Sequence, residues 1–170
     1  MDDYFTPAST QSTEALHTAL EALDPTQVQS ALKAGASTAR KLGTSELNAV
    51  HRLLWLDPST IKADPGRLLL HTQCFRLLLE AGGVRMVSKT AKKYNVYEAL
   101  DGRWEGCALL WMAKMGSRKA AEAVAATGRR TLLQMSWWEP LLERARAEER
   151  LAGLDRKLPS APSPVTKPRM

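Results

Sequence analysis

The sequence predicts an all-α fold, and three observations point to it. Aromatic residues, which favour strands, make up only 6% of the 170 residues, whereas Ala, Leu, Glu, Arg and Lys recur. Apolar side chains repeat every three or four positions, the period of a helix. Asp-Pro pairs, which begin helices, alternate with glycines, which end them. With 44% hydrophobic and 25% charged residues, the chain has the composition of a soluble globular domain.

The first two helices are predicted as a pair. Residues 1–11 are expected to form a flexible N-terminal arm, after which Ser12 or Thr13 caps the first helix. Asp24-Pro25 then supplies the N-cap and the first position of a second helix, which ends at Gly35. A carboxylate accepts hydrogen bonds from the unpaired amides of a first turn, and proline has no amide that needs a partner.

The next segments carry the same start signals. An amphipathic helix is predicted within residues 44–56, with Leu47, Val50, Leu53 and Leu54 on one stripe. Two further Asp-Pro pairs follow, at positions 57–58 and 64–65, and the second opens a helix that runs to Gly82-Gly83.

The last third of the chain is predicted to be helical in shorter pieces. Residues 84–100 are expected to be a loop with one short helix, followed by helices at 103–115 and 118–126. A last helical segment spans 131–152, and it should restart near Ser136 because a proline follows at position 140. The four prolines of residues 154–170 predict a disordered tail.

Two of these helix pairs have the same internal spacing. Gly35 lies 19 residues after Leu16, and Gly128 lies 19 residues after Leu109. The matching segments are Ala15-Leu16-His17-Thr18-Ala19 and Ala108 to Ala113, each leading through a second helix to a glycine. Equal spacing of this kind is typical of a repeat protein.

The pattern resembles the ankyrin repeat, in which Thr-Pro/Ala-Leu-His-x-Ala-Ala opens the first helix and Leu-Leu-x-x-Gly-Ala closes the second. Four departures weaken the motif: Glu14 and Cys107 replace the threonine, Leu110 the histidine and Leu23 the turn glycine. The residues that match are Leu16, His17, Ala19, Gly35 and Ala36 in the first unit, and Ala108, Leu109, Ala113, Gly116 and Gly128 in the later one.

Between these units a third is recognisable with an insertion. It opens near Leu47 and ends at Gly82, 35 residues later, so its two helices are separated by an extra 16 residues. Residues 131–134 begin a fourth, capping unit. The resemblance implies an ankyrin-like stack of antiparallel helix pairs over residues 12–153, with long inserted connections; another helix-pair solenoid remains the alternative.

Positive charge is concentrated in the second half of the chain. Residues 1–80 have 7 Lys and Arg against 9 Asp and Glu, whereas residues 81–170 have 17 against 9. In an ankyrin stack the connections between units would project along one edge, so basic residues in three connections would form one patch. These residues are Arg40 and Lys41, then Arg85, Lys89, Lys92, Lys93 and Arg103, then Arg129 and Arg130.

Aromatic residues supply candidate anchors for a partner. Tyr94 and Tyr97 lie among the basic residues, and Trp104, at the start of a helix, is predicted to be exposed. One of the neighbouring Trp137 and Trp138 should also point away from the core, since successive helix positions diverge by about 100°. Trp111 is expected in the core.

No catalytic, metal or cofactor site is predicted. His71 and Cys74 are spaced i, i+3 on one helix, but two ligands do not make a metal site. His17 matches the family's structural histidine, which bonds to backbone, and His51 has no carboxylate and nucleophile around it. A Cys-His nucleophilic pair is not selected by any pattern, and no phosphate-binding glycine loop is present.

These features predict a cytoplasmic protein that binds another macromolecule without catalysis. Two cysteines are too few for a disulfide scaffold, and no apolar stretch approaches the ~20 residues of a membrane span. The predicted partner is an acidic protein, and small ankyrin-like proteins of bacterial or phage type suggest an inhibitor or immunity protein. The alternative is nucleic-acid binding through the basic half.

Overall fold

The computed structural model describes residues 7–42, 47–82, 104–125 and 138–157. Within these ranges eight helices account for most residues and no strand occurs, apart from an isolated bridge between Leu42 and Leu47. The predicted all-α class is confirmed. The described helices are α1 (Pro7–Glu21), α2 (Pro25–Lys33), α3 (Ala49–Leu54), α4 (Pro58–Lys62), α5 (Pro65–Gly82), α6 (Glu105–Met115), α7 (Ser117–Ala125) and α8 (Trp138–Asp155).

Each of the three Asp-Pro pairs begins a helix, as predicted. Asp24, Asp57 and Asp64 precede α2, α4 and α5, and each carboxylate accepts the backbone N–H two residues further on at 2.8 to 3.1 Å. These hydrogen bonds satisfy amides that have no partner inside the helix.

The first helix begins earlier than predicted. It starts at Pro7 and not at Ser12 or Thr13, so part of the expected arm is helical. The Thr13 hydroxyl donates to the Ser9 carbonyl at 2.7 Å, the bond of a residue inside a helix, and accepts the Ser37 N–H at 3.0 Å. Thr13 therefore links α1 to the chain beyond α2 instead of capping a helix.

The middle and the end of the chain differ from the prediction in extent. Helix α3 is shorter than the predicted segment and begins after Asn48, whose side chain accepts the His51 N–H at 3.0 Å. Helix α8 begins at Trp138, so Pro140 falls in its first turn, where proline is tolerated. Residues 43–46, 83–103, 126–137 and 158–170, with the helices and the tail predicted there, lie outside the described residues.

The helices pack as neighbours in a consistent order. Helix α1 contacts α2 and α3, α2 and α3 contact α5, and α5 also contacts α4 and α6. Helix α6 then contacts α7 and α8, which also contact each other. One buried apolar cluster runs through this series, and its largest members include Leu16, Phe75, Trp104 and Trp111. None of the described helices is both long and apolar enough to cross a lipid bilayer.

The two leucines that the repeat spacing equates have different surroundings. Leu16 is fully buried at the contacts of α1. Leu109 of α6 is only half-buried and packs against the edge of the core. Equal spacing in the sequence therefore does not give the two leucines equal burial.

Candidate functional site

A hollow lies where α6 begins, between α5 and α8. It has a volume of about 280 Å³. Leu68 and Thr72 of α5 form one wall, and Gly106 and Leu109 of α6 form the other. A methyl group added at Gly106 would touch the Thr72 side chain at 3.7 Å, which is ordinary contact. The remaining lining residues are Lys62, Trp104, Glu105, Cys107 and Arg144.

A second hollow, of about 440 Å³, continues along α6 toward the end of α8. Leu109 lines both hollows, so the two adjoin at this residue, and we call them together the α6 groove. The other residues of the second hollow are Ala113 on α6 and Ala145, Glu148, Glu149, Ala152, Gly153 and Arg156 along and just after α8.

Arg144 joins the two parts of the groove. Its guanidinium is 3.5 Å from the Glu105 carboxylate and 3.2 Å from that of Glu148. All three side chains are more than half exposed, so solvent weakens both ion pairs. Arg144 thus contacts both carboxylates on the rim of the groove, and its single positive charge balances one of them.

Glu149 connects α8 to the start of α7. Its carboxylate accepts the Ser117 backbone N–H at 2.6 Å and the Ser117 hydroxyl at 2.7 Å. These hydrogen bonds lower the pKa of Glu149, because they favour its ionised form. The carboxylate thus caps α7, 32 residues away in sequence, and its oxygens are engaged by Ser117.

Trp104 is a wall of the groove and not an exposed anchor. Its side chain is 2% exposed, so the prediction of an exposed Trp104 is wrong. The indole N–H donates to the Leu54 carbonyl at 2.8 Å, and the ring stacks on His71 at 3.8 Å between centroids. The carbonyl at the end of α3 needs a donor, and Trp104 supplies it. The two residues are 50 positions apart, so no local sequence pattern predicts this contact.

His71 and Cys107 meet in the core beside Trp104. Cys107 Sγ is 3.7 Å from His71 Nδ1, and the other ring nitrogen donates to the Leu53 carbonyl at 3.1 Å. Burial lowers the pKa of His71 to about 4 and raises the pKa of the Cys107 thiol far above its usual value. Both groups are neutral at neutral pH, whereas a nucleophilic pair requires a thiolate. The cluster packs the core and carries no reactive thiolate.

Cys74 also belongs to this interior. It is fully buried, and burial raises the pKa of its thiol to about 11. No group of three or more His, Cys, Asp or Glu residues suited to a metal ion occurs within the described ranges.

His17 does not have the role that the repeat resemblance implies. It is 5% exposed, yet neither ring nitrogen has a hydrogen-bond partner among the described residues, so the expected bond to backbone is not formed there. Burial, with a smaller contribution from the nearby Arg52, lowers the pKa of His17 to about 4. The Arg52 guanidinium pairs instead with Glu21 at 3.1 Å. His51 bonds through Nδ1 to the Asn48 side-chain oxygen at 2.8 Å.

Trp55 is the exposed tryptophan that the sequence analysis did not identify. It follows the last turn of α3, and 42% of it is exposed. The two leucines before it are buried, so the next position along the chain faces away from them. The sequence offers no other signal that Trp55 is exposed. Trp111 is fully buried, as predicted, and Trp138 is buried as well. Trp137 lies outside the described residues.

Of the predicted basic set, only Arg40 and Lys41 lie in described parts of the chain. Arg40 is half-buried and donates to the Thr10 hydroxyl at 2.7 Å, which ties it to α1. Lys41 is exposed. The other predicted contact residues besides Trp104, namely Arg85, Lys89, Lys92, Lys93, Tyr94, Tyr97, Arg103, Arg129 and Arg130, lie outside the described residues.

Comparison with known proteins yields no match of any kind: no family model, no curated protein and no solved structure matches this chain. Inference about function therefore depends on the α6 groove, on the buried groups around it and on the charge pattern of the sequence.

Proposed function

We propose that this chain is a non-enzymatic protein–protein interaction module that binds an acidic partner protein. Its most concrete form is a cytoplasmic inhibitor or immunity protein of bacterial or phage type. The observation that carries the proposal is the α6 groove, two adjoining hollows with an apolar floor and a charged rim. Exposed apolar hollows with charged rims are typical of binding surfaces.

We further propose that the helices form an ankyrin-like stack. The packing order supports this, since α1 with α2, α3 with α5 and α6 with α7 correspond to the three units found in the sequence. Gly35, at the end of the first unit, has a φ of +89°, a conformation suited to the glycine that closes such a unit. Successive units would bury one another's apolar faces.

The non-enzymatic part of the proposal is supported by the state of the buried groups. Cys107 and His71 are neutral, and the fully buried Cys74 is a thiol at neutral pH. Glu149 is engaged by Ser117 and does not act as a free base. The side chains near the groove that could act as nucleophile or base thus stabilise the fold instead.

The sign of the partner's charge follows from the basic half of the chain. Lysines and arginines cluster between α5 and α6 and between α7 and α8, the two connections that flank α6 and its partner helix. Complementary charge speeds the encounter between proteins, and buried aromatic residues then slow their separation. Tyr94 and Tyr97 are the proposed anchors; Trp104, being buried, is withdrawn from this role.

Isolation of the partner tests the function. The chain, cross-linked in the source cell and purified, should yield one stoichiometric protein with an acidic surface, identified by mass spectrometry. Binding of that protein, measured by surface plasmon resonance, should weaken as salt is added, because the screening length falls to ~8 Å at physiological ionic strength. Co-purified nucleic acid without a protein would contradict the proposal and favour the alternative.

A charge-reversal variant tests the basic cluster itself. Replacing Arg85, Lys89, Lys92 and Lys93 together by Glu should slow association markedly. The control reverses four exposed cations elsewhere and alters net charge equally: Lys33, Arg67, Arg118 and Lys119. Equal slowing in both variants would mean that only net charge matters, and unchanged binding in both would disprove the basic contact.

A further inference from the structure

We propose that the α6 groove binds an α-helix of the partner that has an apolar centre and a carboxylate near each end. This inference rests on the proposed function and specifies the part of the partner that the groove receives.

The charges of the groove are not all available to a partner. Glu105 and Glu148 are both paired with Arg144, and Glu149 is held by Ser117. Each of these acidic side chains thus has a partner within the protein, and a cationic ligand would have to compete with these contacts.

Two cations remain available among the described residues of the groove, one at each end. Lys62 lines the first hollow and Arg156 the second, and neither has a carboxylate within ion-pair distance in the described ranges. Lys62 Nζ lies 6.0 Å from the centroid of the Trp104 ring, at the end of the groove where α6 begins. An incoming segment with a carboxylate near each end would thus meet a free cation at each end.

The floor between these cations is apolar. Leu109 lies at the middle, shared by both hollows, and Ala113 and Ala152 extend the floor toward Arg156. Both alanines are exposed, so they leave open the space that a larger side chain would fill. A partner's leucine or methionine placed over Leu109 would exclude water from this floor.

The architecture favours a helix as the occupant. The groove walls are α5, α6 and α8, and the described residues contain no sheet edge to which an extended strand could be added. Amphipathic helices bind hydrophobic grooves between helices through apolar residues spaced three and four apart. The partner segment should therefore show that spacing at its centre.

Selection from a displayed library of random peptides of helix-forming length tests this inference. Peptides enriched on the chain should share apolar residues at helical spacing, with Asp or Glu near both ends. They should lose binding to Ala113→Trp, which fills the groove, and keep binding to Ala125→Trp. Both alanines are exposed on helices, so circular dichroism should show both variants folded.

Charge reversal at the two ends completes the test. Lys62→Glu and Arg156→Glu should each weaken the enriched peptides roughly tenfold, a change of about 1.4 kcal/mol, and Lys33→Glu should not. A lack of enriched peptides, enrichment of basic peptides or equal binding to Ala113→Trp would overturn the inference. A dimer of the chain that Ala113→Trp abolishes would also overturn it, since the occupant would then be a second copy.

The outcomes for the groove and for the function are separable. If the cellular partner binds Ala113→Trp normally but loses binding to the four-residue charge reversal, the groove inference is wrong and the proposed function stands. If acidic helical peptides bind the groove but the cell yields no protein partner, the proposed function fails, and of the inference only the preference of the groove for acidic helices stands.

Discussion

Helices in the two halves of the molecule begin in different ways. In the first half, Asp24, Asn48, Asp57 and Asp64 each cap the helix that directly follows them. In the second half, α6 has no side-chain cap, since Trp104 stands at that position. Helix α7 is capped by a carboxylate 32 residues away. The first half is specified by neighbours in sequence, and the second by contacts across the fold.

The groove lies along α6, a helix that no neighbour in sequence caps. Side chains of α8 reach the first turns of α6 and α7: Arg144 pairs with Glu105, and Glu149 accepts hydrogen bonds from Ser117. The larger hollow of the groove lies between α6 and α8, beside these polar contacts.

Leucine truncation should give the largest contrast between the halves. Leu16→Ala should cost ~2–5 kcal/mol because it opens a cavity in a fully buried site. Leu109→Ala should cost less, about 1 kcal/mol, since this side chain is only partly buried. Urea unfolding of both variants measures the difference. Equal costs would mean that Leu109 is covered in solution and that the groove is closed.

Acidification should lower the stability of the folded protein through its buried histidines before its carboxylates are protonated. The pKa of His71 is about 4 when folded, against 6.5 when exposed, so only the unfolded chain binds a proton as the pH falls below 6.5. The contribution of His71 to the free energy of unfolding is therefore complete above pH 6.5 and decreases as the pH falls toward 4. Below pH 4 this group lowers the stability no further. Between pH 7.5 and 5 the loss is about 2 kcal/mol.

The control for this loss is His71→Gln, whose amide can donate to the Leu53 carbonyl without titrating. Urea unfolding of this variant should show a smaller drop over the same pH interval. His17, with a pKa also lowered to about 4, adds to the wild-type loss in the same direction. A stability that is constant from pH 7.5 to 5 would show that neither ring is held neutral in the folded state.

The sequence predicted the helical class and the starts that local residues specify. The three Asp-Pro pairs, the break at Gly116 and the buried Trp111 were correctly placed. The burial of Trp104 could not be predicted, because its acceptor is the carbonyl of Leu54, 50 residues earlier. The groove was missed for the same reason.

Removal of a helix cap, whether its residue is local or distant in sequence, should have a smaller effect on stability than Leu16→Ala. Asp64→Ala removes a cap from α5 and should cost ~1 kcal/mol. Glu149→Ala should cost a similar amount, because it removes the partner of the N–H and hydroxyl of the buried Ser117. The two differ in a double-mutant cycle: Ser117→Ala should reduce the cost of Glu149→Ala and leave that of Asp64→Ala unchanged. Additivity of the Ser117 and Glu149 changes would show that the Ser117 hydroxyl contributes nothing to its contact with Glu149.

Removal of Arg144 should give the smallest effect on stability and still alter the groove. Arg144→Met deletes two exposed ion pairs, each worth little in water, so the protein should lose less than ~1 kcal/mol. Glu105 and Glu148 would then face the groove without a cation, and acidic helical peptides should bind more weakly while stability barely changes. Glu122→Gln, which removes an exposed ion pair on α7 away from the groove, is the control and should affect neither. A parallel loss of stability and of peptide binding in Arg144→Met would show that Arg144 acts on the fold and not on the charge of the groove.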